Sequence, residues 1–191
     1  MDEFSEKLIH GRVHVSPKRL GNPGPDELQK KQILLAAIAA PDHGRMMPWR
    51  FIEIQPSSRD ALGEVFHQSL LDRDQNATPI QLQDAREKAA RGPLLLLAIA
   101  NYADDDDAQD ISKAEKLISL GCAIQNILLS AYALGFGSGL SSGKALQSLR
   151  LRSLFSLADH EDPICFITIG TVTKNKPGRI RPSLSAFHSI F

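Results

Sequence analysis

The residues of this 191-residue sequence that could do chemistry without a cofactor fall into few patterns. Gly139-Leu140-Ser141-Ser142-Gly143 fits G-x-S-x-G, the turn that exposes a nucleophilic serine in α/β-hydrolases. That turn needs a strand before the serine, and the expected element before it here is a long helix. The required chain order Ser…Asp…His is met only by Asp159 or Asp162 with His188. The pattern therefore reads as a glycine turn. Gly135, Gly137 and Gly139 do not complete G-x-G-x-x-G, and no GK[ST], HExxH or CxxC occurs. Asp104 to Asp107 is a run of four carboxylates without partner ligands, which reads as a solvated loop, so no metal site is expected. Cys122 and Cys165 sit in apolar stretches without metal-ligand spacing and read as two reduced core thiols. His10, His67, His160 and His188 have no motif around them.

Charge and composition narrow the partners. Twenty-two Lys plus Arg balance twenty-two Asp plus Glu, so no net basic surface is expected to draw nucleic acid or an anionic membrane. Asp2, Glu3, Glu6 and Lys7 leave no apolar segment for a secretory signal, which implies a cytoplasmic protein. Leu117 to Gly143 contains no charge and is long enough to cross a bilayer. Gln125, Asn126, several serines and the glycines favour instead a helix buried by protein on all sides. At 42% hydrophobic residues the chain can build its own core, and without repeats or linkers residues 1–191 read as one domain.

The elements follow from periodicity. Residues 2–10 predict a short helix. Pro25-Asp26-Glu27 opens a second helix through Ala39, with Leu28, Ile33, Leu34, Ala37 and Ile38 as its buried face. Trp49 to Gln55 alternates as a strand, and Ser57 and Asp60 start a helix to about Leu71. Thr78-Pro79 begins another, ending near Arg91. Residues 93–100 are continuously apolar and predict a central strand buried on both faces. A long helix spans 111–134, apolar around most of its circumference. A loop over 135–143, a helix near 144–157 and a strand over 163–172 complete the body. The tail from 173 to 191 carries Lys174, Lys176, Arg179 and Arg181.

Three segments carry a resemblance. Residues 40–51, APDHGRMMPWRF, strongly resemble the APDH…PW.F segment of the nitroreductase family, most of all its small bacterial branch. Residues 121–137, GCAIQNILLSAYALGFG, are similar to that family's central helix and following turn, and Phe166 to Thr171 to its last core strand. The resemblance implies an α+β fold: a mixed, mostly antiparallel sheet surrounded by helices, in an intertwined homodimer. It implies FMN at the dimer interface, touched by both chains, with the tail 173–191 reaching over the partner. It implies an oxidoreductase in which flavin N5, and no side chain, carries the chemistry. Hydride from NAD(P)H would pass through the flavin to a nitroaromatic, a quinone or a similar small acceptor.

The site implied by the resemblance is only partly kept. Where relatives hold the FMN phosphate with Arg-Arg-Ser, this chain has Gly11, Arg12 and Val13. A further basic position is Ala39 here, and a Trp-Arg-Ser segment after the central helix is Leu140-Ser141-Ser142. Each lost charge-assisted contact is worth about 1.5–3 kcal/mol. Arg179 and Arg181 lie where larger relatives place basic residues on the phosphate, with His14, Lys18 and Arg19 as further candidates. His43 matches a position that reaches the flavin through the partner chain. Backbone N–H groups over Leu140 to Gly143 would survive side-chain replacement. The same departures motivate an alternative: a non-catalytic flavin-binding or structural dimer that kept the fold.

Overall fold

Strand β3 (Leu94–Asn101) organises the molecule, because both of its faces are covered. In the computed structural model, which describes residues 2–103, 111–175 and 181–191, its side chains alternate between two cores. Leu94, Leu96, Ala98 and Ala100 face the long helix α5 (Lys113–Ala133) together with Ile167 and Ile169. Leu95, Leu97 and Ile99 face the other way, onto Leu62, Leu151 and Phe166. An eight-residue apolar run without alternation thus reads as a strand sandwiched between helical layers.

The sheet runs β1 (Leu20–Gly21), β5 (Glu161–Val172), β3, β2 (Trp49–Glu53), and β4 (Gly137–Ser141) adds to β5. Every named pair is antiparallel, and the only described parallel contact is an isolated bridge between His14 and Ser138. β5 starts two residues before the predicted strand and contains Pro163. A register shift opposite Ala98 and Ile99 leaves Ile164 unmatched, and such a bulge accommodates proline inside a strand. Helices α3 (Arg59–Arg73), α4 (Pro79–Glu87) and α6 (Leu149–Leu154) cover one face. Helices α1 (Glu3–Gly11) and α2 (Glu27–Leu35) both pack against α5.

Several expectations change in detail. Pro25 lies outside α2, which Asp26 caps by accepting from the Gln29 amide while the Gln29 side chain accepts from the Asp26 amide. Of the expected buried face, Ile33 and Ala37 are buried but Leu28 and Ile38 are exposed. Residues 135–143 are not a loop: Gly137 to Ser141 form β4, because glycines that read as turn formers also admit close backbone approach. The helix expected near 144–157 is a 3₁₀ turn over Lys144–Gln147 followed by α6, which Ser148 caps. α5 is buried on one face by Leu120, Ala123, Ile124, Ile127, Leu128 and Ala131, while Leu117 and Ile118 remain exposed. It is long and apolar enough to be a candidate span by composition, but it is not enclosed on all sides within one protomer. Both cysteines are free, Cys165 buried and Cys122 half-buried on α5. Asp104 to Asp107, Lys176 and Arg179 lie outside the described residues.

Candidate functional site

The C-terminal end of α1 gathers the predicted phosphate-binding residues. Gly11 is the last residue of the helix and Arg12 follows it in extended conformation. The Nε of Arg12 is buried without a hydrogen-bond partner among the described residues. Arg181 reaches the same place from the tail, its Nη2 donating to the His10 carbonyl at 2.8 Å. That bond satisfies one of the carbonyls left open where a helix ends. The structure thus brings Arg12 and Arg181 together, although 169 positions separate them. A helix C-terminus repels anions, so a phosphate here would depend on these two guanidinium groups and not on helix amides. Val13 is exposed and brings no polar atom.

Tyr132, near the end of α5, was not singled out from the sequence. A Cβ placed on Gly11 would fall on its hydroxyl, closer than van der Waals contact. Glycine at position 11 leaves room for this phenol, which adds an O–H donor beside Arg12. Only pairing across the fold could have shown this, since Tyr132 sits in an apolar helix that reads as core.

Beyond Arg12 the chain lies along β4. The Val15 amide donates to the Ser138 carbonyl at 2.9 Å, next to the parallel bridge from His14. Gly139 permits this approach, because a side chain there would collide with the Val15 carbonyl. Ser138 points its backbone at this segment, and strand residues alternate sides, so Leu140 points its amide away from β5 as well. Leu140, Ser141, Ser142 and Gly143 are all exposed. The bridge sets Arg12 and Leu140 about four residues apart along parallel directions, roughly 13 Å of extended chain.

His43 does not join this group within one protomer. Its Nδ1 lies 3.0 Å from Oε1 of Glu115, in the first turn of α5, and it is exposed. The hydrogen bond from His43 holds the Glu115 carboxyl below its ordinary range. Tyr132 lies seventeen residues further along the same helix, about 25 Å at 1.5 Å per residue. Arg12 and His43 therefore sit at opposite ends of α5.

A strand does precede Ser141, contrary to the expectation used to set aside a hydrolase turn. β4 is nevertheless antiparallel to β5, and no His or Asp side chain bonds Ser141 among the described residues. Beside the Ser141–Gly143 turn a cavity of about 290 Å³ opens, with Phe66, Phe166 and Leu95 among its apolar lining. Lys88 and Arg91 also line it, and neither was singled out from the sequence.

Comparison with known proteins agrees with this architecture. The model of the Nitroreductase family matches residues 16–171. The "Putative NAD(P)H nitroreductase YdjA" of Escherichia coli is 30% identical over 166 residues, covering 87% of this chain and 86% of its own length. Among solved structures, the nitroreductase-like family protein from Bacillus cereus aligns with TM-score 0.80 at 18% identity, covering 100% of this chain and 97% of its own. A mutant of the FMN and NADPH-dependent nitroreductase NfnB aligns with TM-score 0.78 at 13% identity, covering 97% and 98%. With a family match across most of its length and the fold to accompany it, the chain belongs to the nitroreductase family.

Proposed function

We propose that this protein is an FMN-dependent oxidoreductase that takes hydride from NAD(P)H and reduces a nitroaromatic, quinone or similar small acceptor. The observation that carries the reading is the convergence of Arg12 and Arg181 at one end of α1, with a buried Arg12 Nε that no described residue satisfies. An unpaired buried donor is costly, and a phosphate oxygen is a suitable acceptor for it. Arg12 and Arg181 would hold the phosphate, Tyr132 would add a hydroxyl donor, and the Leu140 amide with the Ser141–Gly143 turn would face the ring. When bound, FMN supplies the two-electron chemistry. The chain's part is to bind and orient it, since no side chain at this site is arranged as a nucleophile or base.

The active form is a homodimer with both sites shared, and the whole chain is one domain whose tail extends toward the partner. Exposed Leu28 and Ile38 near α2 and exposed Leu117 and Ile118 on α5 supply apolar surface for that contact. His43 then belongs to the site of the opposite protomer, a reading supported by its distance from Arg12 within the chain. Two free thiols suit a reducing compartment, and we place the protein in the cytoplasm. A second reading, a dimer that kept the fold without catalysis, is favoured by Gly11, Val13, Ala39 and Leu140, which contribute no charged side chain.

The deciding experiment is an absorption spectrum after loading with FMN and removing the excess, followed by anaerobic NADH or NADPH. A retained flavin spectrum that bleaches is the expected result. A colourless protein overturns the reading in favour of the second. Flavin retained without bleaching leaves a binding protein and removes the enzyme.

A further inference from the structure

The cavity beside the Ser141–Gly143 turn has a chemical bias that the flavin reading does not use. Phe66 and Phe166, edge to face with centroids 5.6 Å apart, belong to its apolar lining. Around them stand Arg73, Lys88, Arg91 and Lys144, and no Asp or Glu lines the cavity. None of these four cationic side chains enters a salt bridge among the described residues. Neighbouring cations on the same layer behave differently: Arg86 meets Glu64, Arg150 meets Asp72 at 2.6 Å and Arg152 meets Asp162 at 3.4 Å. In a chain of zero net charge, four uncompensated cations around one apolar recess make a local positive potential.

We propose that this cavity binds the electron acceptor, and that the acceptor is a single aromatic ring bearing a carboxylate or comparable anion. The proposal rests on the flavin-dependent reading above and names the substrate class for that site. A volume of about 290 Å³ lies at the lower limit of ligand pockets, which suits one ring and excludes a dinucleotide. The aromatic edge and face offered by Phe66 and Phe166 receive the ring. Lys88 and Arg91, in the segment that follows α4, and Lys144 after the turn receive the anion, which is drawn in before it is desolvated. The Ser141–Gly143 wall is shared with the proposed flavin ring position, so a molecule in the cavity and the ring lie on the same turn.

The test is calorimetric titration of 4-nitrobenzoate against 4-nitrobenzamide, which match in shape and differ in charge. Both are titrated into the protein as isolated and into protein loaded with FMN. Nitrobenzoate is expected to bind about tenfold more tightly at low ionic strength. The preference should shrink in ~0.5 M NaCl and disappear in Lys88→Gln/Lys144→Gln. Both of those side chains are exposed, and Arg73→Gln provides a separate variant on α3 that should weaken the preference in the same direction. Equal affinity for the two compounds, or a preference that survives these substitutions, overturns the proposal. Displacement of nitrobenzoate by FMN assigns the cavity to the flavin and also overturns it. A protein that takes no flavin removes the acceptor role along with the enzymatic reading, while the charge preference is still decided by the titration.

Discussion

Gly11 and Tyr132 are neighbours across the fold. A Cβ at position 11 would overlap the tyrosine hydroxyl where it stands, so a larger residue there would require the phenol to move. In the proposed site Arg12 is the principal charge, with the Tyr132 hydroxyl near it. Arg12→Ala is expected to weaken FMN binding by about tenfold or more, read from quenching of flavin fluorescence during titration. An unchanged titration would move the phosphate away from α1, with the tail as the first alternative. Arg12 and Arg181 were both legible as candidates through the family resemblance. Their convergence was not, because it depends on the tail returning to the His10 carbonyl across the whole chain.

At the scale of elements, the start of β5 is held by an ion pair that the sequence does not announce. Glu161 is buried and receives Nε and Nη2 of Arg50 from β2, at 2.5 and 2.9 Å, plus the Ala158 amide at 3.1 Å. Arg152 donates to its carbonyl at 2.8 Å, which ties α6 to the same point. The Arg50 hydrogen bonds, together with the Ala158 amide, hold the Glu161 carboxyl below its ordinary range. A carboxyl with a depressed folded-state pKa contributes stability above its unfolded value, about 4.3, and loses it as pH falls through the folded value. Thermal unfolding followed from pH 7 down to about pH 3 should show a steeper loss for the native chain than for Glu161→Gln. Parallel curves would mean that the pair does not couple to folding. β4 belongs to this scale too. Its glycines read as a turn, yet they permit the 14–15 segment to lie against the sheet and bring Leu140 into line with Arg12.

For the whole molecule, the exposed apolar surface is consistent with the proposed homodimer. α5 buries one face in its own protomer and leaves Ile118 uncovered, while α2 leaves Leu28 and Leu35 uncovered. In the proposed shared site, two copies would bring together the His43 and Arg12 ends of α5. Light scattering is expected to give twice the 20.9 kDa chain mass, and Ile118→Asp should shift it toward one copy and reduce FMN retention together. A native protein that scatters as a single copy would end the shared-site reading.

The sequence by itself determined what depends on neighbours along the chain and on composition. It predicted a strand buried on both faces over residues 93–100, from a continuous apolar run bounded by turn formers. It placed the long helix over about 111–134 and carried the family's motifs in order, while the structure supplied its cap, Ser112 accepting from the Glu115 amide at 3.3 Å. The tertiary structure decided whatever depends on residues far apart in the chain. Tyr132 came to meet Gly11, the Arg50–Glu161 pair closed the end of β3's neighbours, and Lys88, Arg91 and Lys144 came to one cavity. Local pattern records the exchange of each residue with water and with its own helix or strand. It does not record which distant side chain will occupy the remaining space, and that packing choice positioned the site.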